Sequence, residues 1–171
     1  MKFIKNISWK ELKEIWQKAE KGFWEDFYKK KGFVLWEDWR KTYFKNWFPY
    51  NRKWQQFLIE PKEILNFYCG LFKGWREASE EVNSREFSKL QFASVFKENE
   101  KIENIKQNFP KTIHLIAFKQ GEKIIIVDGS HRALVIAQKI TQKDNLQNIR
   151  VFLNLAKLAE NKKYLFIDYG E

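Results

Sequence analysis

The stretch EKIIIVDGSHRALVIAQKI, Glu122 to Ile140, decides how this chain is read. An apolar run, Ile124 to Val127, ends in Asp-Gly-Ser, and His131 and Arg132 then open a segment in which Ala133, Ile136, Ala137 and Ile140 recur at helical spacing. The pattern predicts a buried strand, a turn at Asp128-Gly129-Ser130, and a helix to about Lys139. A helix N-terminus carries the positive end of the macrodipole, about half an elementary charge, so Asp or Glu is favoured in its first turn. Two basic side chains in that position point to a negatively charged partner.

Working outward, the runs Thr112 to Phe118 and Lys123 to Val127 flank a short turn containing Gly121, which is a hairpin signal. Before it, Asn99 is an N-cap for a helix that turns Ile102, Ile105 and Phe109 inward and stops at Pro110. SREFSKLQFASVFKE reads as a further helix, and NIRVFLNLA as another strand. From about residue 81 onward the order is therefore helix, strand, strand, turn, helix, strand, an α+β arrangement.

The first 80 residues look different. Seven of the eight tryptophans lie before residue 55. In ISWKEL, Ser8 is an N-cap, Glu11 completes a capping box and Ile7 can staple onto Leu12. Trp9, Leu12, Trp16, Ala19 and Phe23 then follow helical spacing. A second helix is expected from Leu35 to Trp47, where Trp36, Trp39, Tyr43 and Trp47 recur before Pro49 ends it. WQQFLIE and ILNFYCG are short apolar runs, either strands or extended coil. Such an aromatic stripe either stacks nucleic-acid bases or fills a core, and its helical spacing favours the core. The 171 residues fit one domain, with residues 1–80 as an aromatic-rich, mainly helical layer and 81–171 as the α+β layer.

The net charge of +10 suggests an anionic partner: nucleic acid, a nucleotide or a phosphorylated metabolite. Scattered lysines explain much of that excess. Arginine is scarcer, at Arg40, Arg52, Arg76, Arg85, Arg132 and Arg150, and is the side chain suited to bidentate phosphate contact. One cysteine, Cys69, allows no internal disulfide and reads as a buried structural thiol. His114 and His131 with that cysteine make no zinc pattern. With no secretory apolar region and no run of membrane length, the expectation is a soluble, cytoplasmic protein without a membrane partner.

At the turn itself, the strand-to-helix junction leaves the first amides of the helix pointing outward, a ready anion site. Gly129 permits positive φ or close approach of a ligand to the backbone. Ser130 either caps the helix or lends its hydroxyl to a phosphate oxygen, and His131 and Arg132 supply charge-assisted donors. The alternative is a well-made cap, with Asp128 paired to Arg132 and His131 a packing residue.

VDGSHRALVIA, between a hairpin and a helix, resembles the signature turn of the ParB/sulfiredoxin-like superfamily. The free serine kinases of that group carry a DGHHR turn, matched here at Asp128, Gly129, His131 and Arg132. Sulfiredoxin's reactive cysteine falls on Ser130, so sulfinic acid reduction is not expected. The resemblance spans roughly residues 85 to 158. It implies a small mixed sheet with packed helices that binds ATP or ADP, with Gly129, Ser130, His131 and Arg132 holding phosphates, and Arg85 and Arg76 as further clamps. It implies catalytic roles for Asp128 and His131, Asp128 beside Mg²⁺ or the attacking hydroxyl, and phosphoryl transfer to a small hydroxyl-bearing acceptor. A second carboxylate is expected from Glu77, Glu80 or Glu81. The alternative function is that of a nucleic-acid-binding or nuclease-like ParB relative.

Overall fold

The computed structural model of the chain describes residues 1–20, 25–44, 52–70 and 73–158. At its centre is the predicted hairpin, β4 (Thr112–Gln120) and β5 (Lys123–Asp128), paired antiparallel with Gly121 at φ +56° in the turn. Both strands are apolar on both sides. Ile113, Leu115, Ala117, Ile124 and Ile126 face one core; Ile116, Phe118, Ile125 and Val127 face another. A strand of that kind must be covered twice.

Four more strands extend this hairpin. They are β1 (Lys2–Ile7), β2 (Trp54–Ile59), β3 (Tyr68–Cys69) and β6 (Arg150–Lys157). Among the described residues the sheet runs β1-β2-β6-β4-β5-β3, with β6 parallel to β4, β3 parallel to β5, and the other neighbours antiparallel. The fold is α+β with a mixed sheet, as the alternation of patterns predicts.

One face carries α4 (Lys73–Glu81), α5 (Phe87–Leu90), α6 (Glu100–Gln107) and α7 (Ser130–Thr141), which bring Trp75, Ala78, Phe87, Leu90, Ile102, Ala133, Leu134, Ile136 and Ala137 to the core. The other carries α1 (Trp9–Glu20) and α3 (Trp36–Phe44), with Leu12, Trp16, Trp36 and Trp39 buried against Trp54, Ile116 and Phe118. A short helix, α2 (Glu25–Lys30), joins that layer through Phe27 and Tyr28. The tryptophans of α1 and α3 are core, and their energetic role is burial of large apolar area.

Local signals hold where the cap chemistry is strong. Ser8 and Glu11 form the reciprocal capping box, the Glu11 amide donating to Ser8 Oγ at 3.2 Å and the Ser8 amide to Glu11 Oε2 at 2.9 Å. Asn99 Oδ1 accepts from the amides of Lys101 and Ile102. The second aromatic helix begins at Trp36; Trp47 and Pro49, like Phe23 in the first, lie outside the described residues.

Three expectations are corrected. SREFSKLQFASVFKE is not one helix: it forms the single turn of α5 and a 3-10 turn at Ser94–Phe96. Its buried residues, Phe87, Leu90, Ala93 and Phe96, recur every third position, which suits tight i to i+3 turns rather than a 3.6-residue repeat, and Phe92 is left exposed. ILNFYCG splits between a 3-10 turn at Pro61–Asn66 and the two-residue β3, whose pairing is tertiary. Residues 1–80 are not a layer by themselves, because they supply β1, β2 and β3 to the shared sheet and α4 to the opposite face.

One polar pair lies inside. Asn154, fully buried on β6, accepts from Gln56 Nε2 at 3.0 Å and donates to the Leu115 carbonyl at 3.1 Å, tying β2, β6 and β4 together. Asn154→Ala strands both partners without solvent. It is expected to lower stability by ~3 kcal/mol, read as a lower urea midpoint with an unchanged slope.

Candidate functional site

The turn after β5 takes its shape from a bulge. Ala117 pairs with Ile126 and Ile116 with Asp128, so Val127 is the extra residue. Ile124 and Ile126 point toward α7, and simple alternation would send Asp128 the same way. The bulge instead sets Asp128 opposite Ile116. Gly129 follows at φ +88°, a left-handed conformation that L side chains rarely adopt. A Cβ there would lie 2.7 Å from Leu115 Cδ2 and 3.4 Å from the His114 carbonyl, so the close approach that demands glycine is made by β4 itself.

Gly129 is also the N-cap of α7, and among the described residues it gives that end no side-chain cap. The first helical bond runs from the Ala133 amide to the Gly129 carbonyl at 2.9 Å. The amides of Ser130, His131 and Arg132 precede it and form the positive end of a twelve-residue helix. At α6, by contrast, Asn99 occupies the equivalent donors.

The flanking side chains are engaged in part. Arg132 Nη2 donates to Asp128 Oδ2 at 3.0 Å, the local pairing that a plain cap would show. His131 stands edge-on to Trp75 with ring centroids 5.2 Å apart. Its burial, then the charges of Lys101 and Arg132, outweigh Asp128 and push the imidazole down to about 4. His131 is therefore neutral near pH 7 and not the charged donor expected from the sequence. Ser130 is buried as the first helical residue.

The Arg85 guanidinium donates to the Cys69 carbonyl at 2.5 Å, at the end of β3, while the Cys69 amide donates to the Arg85 carbonyl. That contact helps to secure the edge strand that pairs with Ile125 and Ile126 of β5. Cys69 itself is a buried thiol pushed up to about 11 by desolvation, as its structural reading anticipates. Glu77 and Glu80 on α4 are exposed, and Glu81 accepts from the Ser94 amide and hydroxyl, so it organises a loop.

Two groups that the motif does not contain, Lys101 and His114, lie within electrostatic reach of Arg132. Lys101, in the first turn of α6, feels Asp128, Arg132 and Arg40, and its burial holds the ammonium below its ordinary value. Arg40 comes from α3, its guanidinium 4.4 Å above the Trp39 ring and 5.4 Å from that of Trp16. His114, stacked on Phe152 at 5.0 Å, feels Arg132 and Lys18 of α1, and burial lowers its basicity. Its Nδ1 is buried with no hydrogen-bond partner among the described residues. Arg40 is one of the six arginines suited to phosphate contact, and Lys101 carries a signal of its own, a basic residue in a helix first turn, the same anomaly as at His131 and Arg132.

Around Asp128 the neighbours are thus cations. The carboxylate is held by Arg132, and no three His, Cys, Asp or Glu side chains converge among the described residues. One carboxylate among cations is a setting that favours an anion. No protein-family model matches the chain, and no curated protein or solved structure is significantly similar to it.

Two consequences are measurable. Gly129→Ala introduces both strain at positive φ and a clash with the fully buried Leu115, and a loss of ~2–3 kcal/mol is expected in denaturant unfolding. The unfolded chain binds a proton at His131 near 6.5 that the folded chain refuses down to about 4, so this contribution is present at neutral pH and lost as pH falls through that window. Wild-type stability should drop by ~3 kcal/mol across it from this group, and His131→Gln should flatten that part of the profile.

Proposed function

We propose that this chain binds the phosphates of ATP or ADP at the Asp128 to Arg132 turn and transfers a phosphoryl group to a small hydroxyl-bearing acceptor, as a ParB/sulfiredoxin-like protein. The observation that carries the reading is the first turn of α7, begun by a left-handed glycine, with Arg132 in it and Lys101 in the field of Asp128 and Arg132. Backbone amides at a helix start point donors and dipole at the same oxygen atoms, and that geometry suits phosphate. The strand–glycine–helix order and the mixed sheet agree with the resemblance of the DGSHR motif.

Within this reading Ser130, His131 and Arg132 contribute amides, and Arg132 adds a guanidinium whose Asp128 contact holds it in place. Phosphoryl transfer depends on positioning and on charge stabilisation. Lys101 and Arg132 supply positive charge, and Asp128 is the carboxylate placed to receive a proton from the acceptor hydroxyl. Neutral His131 can accept a hydrogen bond or take up a proton when an anion arrives. Mg²⁺ is proposed only as the nucleotide's own counter-ion.

The net charge of +10 keeps nucleic-acid binding as the competing reading, and salt separates the two. Titration with ATP, ADP and a short DNA duplex at low and high salt should show a nucleotide affinity that survives salt; duplex binding that collapses with salt and no nucleotide affinity would favour the other reading. Arg132→Ala should weaken nucleotide binding by ~1.5–3 kcal/mol while the tryptophan circular dichroism stays native. Phosphorus NMR of ATP mixed with small hydroxyl compounds should show a phosphoester that Asp128→Asn abolishes.

A further inference from the structure

The aromatic layer carries a projection that the α7 turn does not use. Helix α2 runs from Glu25 and Asp26 to the basic pair Lys29 and Lys30, and Lys31 follows. Two backbone bonds close its end: the Gly32 amide donates to the Lys29 carbonyl at 2.9 Å and the Phe33 amide to the Tyr28 carbonyl at 3.1 Å, with Gly32 at φ +84°. Phe33 packs against the aromatic core, and Trp36, at the start of α3, is buried. Between these two anchors Val34 and Leu35 stand in water, 86% and 59% exposed. One exposed aliphatic residue is ordinary, whereas two in succession on a closed turn hold apolar area out where the core cannot cover it.

Positive charge adjoins that tip. Lys30 and Lys31 are exposed, the Lys31 ammonium 5.2 Å from the Phe27 ring. The carboxylates that follow the tip are engaged, Glu37 with Lys13 and Asp38 with Lys41. We infer that the turn at residues 29–35 docks on an anionic lipid surface, Val34 and Leu35 entering the boundary between headgroups and acyl chains while the ammonium groups of Lys30 and Lys31 stay among the phosphates. Adjacent aliphatic and cationic side chains match the layering of a bilayer leaflet. Lysine suits this role, since its flexible stem lies along apolar surface and its point charge meets phosphates in any position. A nucleic acid would engage the lysines and leave the aliphatic pair in water, because bases stack on aromatic rings. The expectation of no membrane partner came from the lack of an apolar run of membrane length. No helix among the described residues is long and apolar enough to cross a membrane, but a tip that enters only the boundary needs no such run.

Co-sedimentation of the full chain with vesicles of phosphatidylcholine alone, or of phosphatidylcholine and phosphatidylglycerol in equal parts, tests this at low and high salt. Wild type should partition into the mixed vesicles about tenfold more strongly than into the neutral ones, and lose that preference in high salt. The double variant Val34→Asp, Leu35→Asp should bind the mixed vesicles about tenfold less, and Lys30→Gln with Lys31→Gln should remove the preference for them. Tryptophan circular dichroism checks the fold, and Val34→Ser with Leu35→Ser serves if the aspartates disturb it. Because Cys69 is buried, Val34→Cys can carry an environment-sensitive dye, whose emission should move to the blue on mixed vesicles. The inference is wrong if wild type ignores the vesicles, if the aspartate variant binds them as wild type does, or if the dye stays in water. Equal loss in Phe92→Asp, an exposed residue in the turn after α5, would also overturn it. So would a dimer, or binding of a short DNA duplex, that the aspartate variant abolishes, since the tip would then belong to a second copy or to nucleic acid.

Discussion

A strand with apolar side chains on both faces leaves no side for water, and β4 is such a strand. Ile113, Leu115 and Ala117 require one cover, Ile116 and Phe118 another. Two helical layers follow from that demand, and so does the ordering of the sheet. The strands flanking β4 are themselves buried on both sides, whereas β1, at the edge, is exposed over most of its length. The candidate site lies at the end of β5, a strand buried in both layers.

A bulge at Val127 shapes that end. One extra residue in β5 sets Asp128 opposite Ile116, and Arg132 of α7 forms the ion pair with it. The pair is local, so on its own it would be a cap and nothing more. What distinguishes the turn is the company it keeps. Lys101 and His131 join Arg132 in the field of one carboxylate, in surroundings that depress the basicity of Lys101 and His131. Desolvated groups of one sign are costly to assemble, and functional sites are where such arrangements concentrate.

How much was readable in advance depends on the range of the interaction. The capping box at Ser8 and Glu11, the Asn99 cap, the β4–β5 hairpin and α7 are specified within a few residues, and each forms where its signal lies. The stretch from Arg85 to Glu98 deceived because its apolar content suits helix, while its spacing of three suits separate tight turns. Strand β3 depends on pairing with β5 from more than fifty residues away, so nothing local announces it. Arg85 offered guanidinium chemistry, but its partner, the Cys69 carbonyl, is set by that same pairing.

The sequence by itself determined the glycine of the turn, the basic first turn of α7 and the apolar runs that make the central hairpin, because steric limits and cap chemistry act over neighbouring residues. Only the tertiary structure decided which residue of β4 Asp128 faces, that His131 is held neutral beside Trp75, and that Lys101 of α6 lies in the field of Asp128 and Arg132. Those outcomes depend on burial and on fields between groups distant in the chain. Such energies exist only once the two layers have closed on the sheet.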